Sequence, residues 1–176
     1  MGNNQSLSSW PALRWPWLLL ALSAFTFEII ALYFQYGMGL EPCVMCIYQR
    51  TAVFAIMVAA LPAAYAPTSL IARLISFSGW GIASIWGLII AKQHVAMQDP
   101  DNFMLLLSCD AFPNFPSWLA LHEWIPAFFE ARGMCGDIDW SFMAMSMPQW
   151  MTVIFSFYSL TFLIFLINRL ITEKKI

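Results

Sequence analysis

Four long apolar runs, joined by short polar segments and one long loop, organise the chain. Their bounds are about 17–36, 47–65, 74–91 and 148–167. The only charged residues inside them are Glu28 and Arg50. A helix that crosses a bilayer needs about 20 mostly apolar residues, and none of the runs alternates with the period of two of a barrel strand. The pattern predicts an all-α membrane protein, a four-helix transmembrane bundle whose second helix ends at Pro62 and Pro67.

The composition also indicates a protein that lies in a lipid bilayer. Hydrophobic residues make up 61% of the 176 residues and charged residues 10%, whereas soluble domains have about 25% charged residues. A soluble chain of this length could not bury so much apolar surface, and a disordered chain would be poor in apolar groups. The net charge of −2, with eight basic residues spread along the chain, argues against nucleic-acid binding. We therefore expect a single integral membrane domain over residues 1–176.

The basic residues predict the orientation of the bundle. Four spans place both termini on one side, and five basic residues lie near that side against three near the other: Arg14, Arg73, Arg169, Lys174 and Lys175 against Arg50, Lys92 and Arg132. The positive-inside rule then predicts cytoplasmic termini, with loops of about 37–46 and 92–147 outside. A cleaved signal peptide is the alternative for the first run. However, the apolar character continues beyond Ser23, as a retained helix requires.

All four cysteines fall in the two outside loops. They are Cys43, Cys46, Cys109 and Cys135, and an even number on an oxidising side indicates disulfides. Cys43 and Cys46 form a C-x-x-C at the head of the second span, where a helix N-terminus stabilises a thiolate, the form that attacks disulfides. A small structural staple is the alternative. Zinc is disfavoured because the second pair is 26 residues apart, and haem attachment because Ile47 follows the motif.

Three polar residues in or beside the spans are candidates for chemistry. Arg50 lies four residues after Cys46, on the same helical face, where it can stabilise a thiolate or an anionic headgroup. The alternative for Arg50 is snorkelling to the phosphate layer. Glu28 is expected to be protonated or paired, with a helix–helix hydrogen bond favoured over a proton route. His94, taken alone, is typical of an interface residue.

The long loop contains an amphipathic segment at 117–132. Its apolar residues fall on one helical arc: Trp118, Leu121, Trp124, Ile125, Phe128 and Phe129. The pattern predicts a short membrane-surface helix, broken or kinked at Pro126, that holds the loop near the C-x-x-C. A helix packed on the spans is the alternative. In both cases one cysteine pair is tethered at the membrane and the other lies on a mobile loop, so disulfides can pass between the pairs.

Together these features resemble the DsbB family of bacterial inner-membrane disulfide-forming proteins. The resemblance covers nearly the whole chain. It includes four spans, the run Pro42-Cys43-Val44-Met45-Cys46 that leads into Ile47-Tyr48-Gln49-Arg50, the 26-residue separation of the second pair and the Met-Pro-Gln-Trp run at 147–150. It implies a quinone-dependent thiol oxidase, multi-pass in the inner membrane with its cysteines facing the periplasm, that reoxidises a DsbA-like partner.

The resemblance also implies a route for the electrons. Reduced DsbA attacks the disulfide at Cys109, Cys135 links to Cys43 on the way, and the electrons reach the Cys43–Cys46 pair. Cys46 then faces the electron acceptor, a quinone of the membrane pool.

In the same way the resemblance implies a quinone site. Arg50 matches the family's quinone-site arginine, and His94 matches a histidine near the quinone, which is ubiquinone or menaquinone. No metal is implied. Gln49 stands where a known member has Glu, which weakens any role for a carboxylate there. Two alternatives stay open: a related oxidase for a dedicated partner, and a non-enzymatic four-span protein with structural disulfides.

Overall fold

The computed structural model describes residues 11–173, so Lys174 and Lys175 lie outside the described part. Within it, the long helices are α1 (Arg14–Leu32, continued by a π-helical turn Tyr33–Gly37), α2 (Val44–Tyr65), α3 (Leu70–Met97) and α7 (Met147–Glu173). The short elements are α4 (Phe103–Leu106), α5 (Leu121–Trp124), α6 (Pro126–Phe129), β1 (Ser141–Phe142) and β2 (Met145–Ser146). The four long helices are long and apolar enough to cross a membrane, which confirms the predicted bundle.

Side chains cap the second and third helices where the sequence leaves short loops. Cys43 is the N-cap of α2, and its Sγ accepts from the backbone N–H of Cys46 at 3.3 Å. Ser69 caps α3 through the N–H of Ala72, as expected of a serine at this position. The C-x-x-C is therefore part of the first turn of a membrane-spanning helix.

Pro62 does not end α2, contrary to the prediction. The helix continues through Pro62 to Tyr65 and stops just before Pro67. Proline removes only one donor from the helix, and the neighbouring N–H of Ala63 donates to Ser76 Oγ of α3 at 3.1 Å. The contact with α3 stabilises the last turn, so only Pro67 acts as the predicted stop.

The helices pack in the order α1–α2–α3–α7. Between α3 and α7, Gly87 lies so close to the ring of fully buried Phe155 that an added Cβ would come within 2.2 Å of it. Helices α1 and α7 meet near mid-span, where the hydroxyls of Ser23 and Tyr158 are hydrogen-bonded at 2.9 Å. On the cysteine side of this contact, the space between α1 and α7 widens into a cavity.

The amphipathic segment of the long loop forms short helical turns and not one helix. A 3-10 turn (Ser117–Leu119), α5 and α6 follow one another. Ile125 has φ −134° and ψ 65°, outside the helical region. The proline ring that follows disfavours the helical conformation for the residue before it. The break at Pro126 is as predicted. Phe129 is buried against Phe54 of α2, whereas Trp118 and Trp124 remain exposed.

The loop is attached to the segment that carries the C-x-x-C. The N–H groups of Arg132 and Gly133 both donate to the carbonyl of Pro42, at 2.9 and 3.1 Å. A Cβ on Gly133 would lie 2.3 Å from the carbonyl oxygen of Glu41, so only glycine permits this approach. On the other side, Tyr48 Oη accepts from the N–H of Asn114 at 2.7 Å. The second cysteine pair is thus docked on the first.

Candidate functional site

The C-x-x-C pair is present as two thiols. Their sulfur atoms lie 2.9 Å apart, with Cys43 buried and Cys46 partly exposed. The hydrogen bond with Cys46 and burial raise the pKa of the Cys43 thiol. Cys43 therefore keeps its proton in the reduced pair. The two sulfurs are close enough to form a disulfide after small side-chain rotations.

The second pair forms a disulfide that packs on the first. Cys109 and Cys135 are bonded, with Cα atoms 6.6 Å apart. Cys135 is 2% exposed, while Cys109 is more open and lies next to exposed Asp110. All four cysteines belong to one apolar cluster built around Met45, Ile90 and Met97. The structure brings together the four sulfurs that the sequence places in two separate loops.

His94 of α3 lies between the two pairs. Its Nε2 is 3.5 Å from Cys43 Sγ and 3.1 Å from the carbonyl oxygen of Cys135. Its Nδ1 accepts from the side-chain amide of Gln49 at 3.0 Å, so the proton is on Nε2, which donates to Cys135. The ring is 2% exposed. His94 therefore contacts both cysteine pairs, and Gln49 holds its orientation.

Arg50 turns into the protein. It is 7% exposed, and its Nη1 donates to Gln35 Oε1 at 2.7 Å and to the carbonyl of Phe128 at 2.6 Å. The guanidinium also lies 5.1 Å from the centroid of the Phe128 ring, a cation–π distance. Because the side chain is buried and held by these contacts, the alternative of snorkelling to the phosphate layer is wrong.

A cavity of about 280 Å³ joins these residues. It lies among α1, α2, α7, the end of α3 and the two loops on the cysteine side, and Cys46, Arg50 and His94 line it together with mostly apolar side chains. Glu28 also lines it and is 4% exposed. Neither carboxyl oxygen of Glu28 has a hydrogen-bond partner among residues 11–173, contrary to the expected helix–helix hydrogen bond.

Two glutamines are site residues that the sequence reasoning did not single out for this purpose. Gln35 lies seven residues after Glu28, a spacing that places both on one helical face, and it accepts from Arg50. Gln49 lies three residues after Cys46 and contacts His94. Polar residues at helical spacing within an apolar span are the signal that could have identified both.

The donor atoms of Cys43, Cys46 and His94 all lie within 4.8 Å of one another. Thiolates and imidazole are ligands that zinc takes. In this arrangement, however, His94 Nε2 donates its proton to the carbonyl of Cys135, so no ring lone pair faces the sulfurs. The predicted absence of a metal stays a prediction.

Four membrane-spanning helices with two adjoining cysteine pairs define a multi-pass membrane protein of thiol–disulfide chemistry. The family model described as "Disulfide bond formation protein DsbB" matches residues 13–165. The chain belongs to the DsbB family, and its activity is that of a disulfide oxidoreductase.

Individual relatives are similar over most of their length, and each is named "Disulfide bond formation protein B". The protein of Pseudoalteromonas translucida (strain TAC 125) is 47% identical over 97% of this chain and 98% of its own. That of Psychromonas ingrahamii is 49% identical over 92% of this chain and 86% of its own. That of Pseudoalteromonas atlantica is 50% identical, with 93% and 94% covered.

Proposed function

We propose that this protein reoxidises a DsbA-like periplasmic dithiol partner and delivers the electrons to a quinone of the inner membrane. One observation carries the proposal: all four cysteines lie in one cluster, and Cys46 of that cluster lines an apolar cavity together with Arg50 and His94. The cysteine end faces the periplasm, the termini face the cytoplasm, and residues 1–176 form a single membrane domain.

Electrons enter at Cys109. The thiolate of the partner attacks Cys109, the more open sulfur of its pair, which forms a mixed disulfide and releases Cys135. Cys135 then attacks Cys43 in an oxidised Cys43–Cys46 pair and releases Cys46. The second thiol of the partner resolves the mixed disulfide and frees Cys109. When the Cys109–Cys135 bond forms again, the partner is oxidised and the Cys43–Cys46 pair is reduced.

The cavity fits a flat lipophilic ring. Its size of about 280 Å³ is near the lower end of the ~300–1,000 Å³ range of small-molecule sites. Its walls are mostly apolar, and its polar groups include Cys46, Arg50, His94 and the carboxyl of Glu28, which has no hydrogen-bond partner among residues 11–173. A quinone held there would supply a two-electron, two-proton acceptor for the Cys43–Cys46 dithiol. Arg50 would hold one of its polar atoms beside Cys46, and His94, whose ring nitrogens are engaged by Gln49 and Cys135, would form part of the wall.

Redox energetics favour an acceptor of high potential. DsbA-type oxidants have potentials of about −120 mV, whereas stable structural disulfides lie below about −300 mV. Oxidation of such a partner by an ordinary disulfide would be uphill by about 180 mV, or about 8 kcal/mol for two electrons. At least one pair must therefore be strongly oxidising or be emptied by a strong acceptor.

The test is a titration of free thiols under anaerobic conditions. Fully reduced protein is purified in lipid nanodiscs and mixed anaerobically with a short-chain quinone, and free thiols are titrated over time. We expect thiols to disappear only when quinone is present. Arg50→Ala should need at least about tenfold more quinone, since the loss of a charge-assisted contact costs about 1.5–3 kcal/mol, and it should still start with four titratable thiols.

Arg132→Ala is the matched control, because that arginine is exposed and its ion pair with Glu130 lies at the surface, where such pairs contribute little. Wild-type protein whose thiols persist with quinone would contradict the proposal. Equal quinone requirements in Arg50→Ala and wild type would contradict the assigned site.

A further inference from the structure

Glu28 is the buried group that the proposed electron route leaves unused. It lies inside the first membrane-spanning helix, lines the cavity and is 4% exposed. Neither carboxyl oxygen is hydrogen-bonded to a described residue. An ionised carboxylate without a partner is very costly in such a place, so the acid form is the one that this site accommodates.

The groups around the cavity do not neutralise Glu28 by direct contact. Titratable or charged side chains reach its lining from α2, α3 and the loops: Glu41, Cys43, Cys46, Arg50, His94, Asp137 and Asp139. The α7 residues of the lining are not titratable. Arg50 is the only cation with a fixed charge among them, and its Nη1 is engaged by Gln35 and by the carbonyl of Phe128. Within residues 11–173, Glu28 forms no ion pair.

We propose that Glu28 is the proton carrier of this cavity. In its acid form it donates a proton to an oxygen of the quinone-class acceptor, and it is reprotonated when the Cys43–Cys46 dithiol gives up its protons. This inference rests on the proposed function.

The step balances. Closing the Cys43–Cys46 disulfide removes two electrons and two protons from the two thiols. The acceptor gains two electrons and two protons, one of them through Glu28. Glu28 ends each cycle in the acid form in which it began, so no further oxidant or reductant is needed.

A purely structural role predicts different behaviour. If Glu28 were a fixed negative charge that balances Arg50, the carboxylate would stay ionised throughout. Removing its charge would then alter quinone affinity or stability, and it would leave the pH dependence of electron transfer unchanged.

The first measurement detects the proton without any quinone. The infrared spectrum of the purified wild-type protein at neutral pH should contain the carbonyl stretch of a protonated carboxylic acid. The difference spectrum between wild type and Glu28→Gln should show that this band is lost in the variant. Thr26→Val is the matched control, because Thr26 lies two residues away on the exposed side of the same helix and its hydroxyl donates to the carbonyl of Leu22, one turn earlier. A protein with no such band, or a band that survives in Glu28→Gln, would overturn the proposal.

The second measurement follows thiol loss in a single turnover over a range of pH and of quinone concentrations up to saturation. Glu28→Gln should slow it by at least about a hundredfold, the lower end of the usual general-acid contribution, and flatten the pH profile at unchanged quinone affinity. Glu28→Asp should restore part of the rate.

Two results of this measurement would overturn the proton-carrier role of Glu28 and leave the proposed function intact. One is a wild-type rate in Glu28→Gln, and the other is a lower quinone affinity with an unchanged rate at saturation. If wild-type thiols do not react with quinone, the proposed function fails together with this inference.

Discussion

His94 is held from both sides of its ring. Gln49 donates to Nδ1, and Nε2 donates to the carbonyl of Cys135 while lying 3.5 Å from Cys43 Sγ. The buried amide of Gln49 and the carbonyl of Cys135 together place the ring proton on Nε2. Because the ring contacts both pairs, its orientation affects the geometry of the disulfide exchange that we propose between Cys43 and Cys135.

Gln49→Leu should therefore destabilise the protein and slow the exchange between the pairs. It leaves His94 Nδ1 buried without a donor, which costs about 1–3 kcal/mol, and it removes one of the two contacts that hold the ring in place. Thermal unfolding in detergent measures the first effect, and trapping of the Cys43–Cys135 disulfide over time measures the second. Gln93→Leu is the control, since Gln93 is an exposed neighbour of His94 on α3. Equal unfolding midpoints for the two variants would contradict the argument.

Helix α3 approaches its neighbours closely because of its glycines. At Gly87 an added Cβ would lie 2.2 Å from the Phe155 ring of α7, and at Gly81 it would lie 2.5 Å from the ring of Phe162. Small residues allow membrane helices to pack without a hydrophobic driving force between them. The width of the bundle, and with it the space left between α1 and α7, depends on these contacts.

Gly87→Ala should lower the stability of the bundle by about 1–3 kcal/mol, the usual cost of overpacking. The double variant Gly87→Ala/Phe155→Leu should recover part of the loss, because the smaller side chain makes room for the methyl group. Thermal unfolding in one detergent compares the two. If the single variant is as stable as wild type, the close packing of α3 on α7 is contradicted.

The long loop depends on one glycine for its docking. A side chain at Gly133 would press on the carbonyl of Glu41, which is backbone and cannot rotate away. Gly133→Ala should therefore weaken the two hydrogen bonds to Pro42 and move Cys135 away from Cys43. We expect faster protease cleavage within the loop and slower disulfide exchange between the pairs. Gly136→Ala is a milder control, because the nearest atoms there belong to the flexible side chain of Leu106 at 3.1 Å.

In the described part of the chain, the candidate site lies at one end of the molecule. All four cysteines, His94, Arg50 and the cavity lie at the end of the bundle where α2 begins and α3 ends. The opposite end contains the short turn between α2 and α3, with exposed Thr68. The proposed exchange of disulfides with a periplasmic partner therefore requires the cysteine end to face the periplasm.

Labelling of reduced cells with an impermeant maleimide tests this orientation. Cys109, the more open cysteine of the loop, should react in intact spheroplasts when it is the only cysteine present. Thr68→Cys in a cysteine-free chain should react only after permeabilisation, and it serves as the matched control. Labelling of Thr68→Cys in intact spheroplasts would reverse the assigned topology.

The order of the spans follows from the sequence alone, and the sequence also singles out the residues that we propose for the redox chemistry. Runs of about 20 apolar residues can satisfy their backbone in a bilayer only as helices, so composition and length suffice to predict the bundle. The C-x-x-C with Pro42 and Arg50 predicted the candidate site because helical spacing is local information. Local rules also predicted the break at Pro126, but they misplaced the end of α2 at Pro62.

The tertiary packing determines which residues from distant parts of the sequence are in contact. Ser76 of α3 stabilises the turn after Pro62, and Gly133 lets a loop of distant sequence reach Pro42. Neither contact is encoded in the spacing of the residues involved. The bridge from Gln49 through His94 to Cys135 and the isolation of Glu28 in the cavity likewise arise between elements far apart in sequence. Periodicity determines which face a residue occupies, whereas the partner across that face depends on how the helices and the loop assemble.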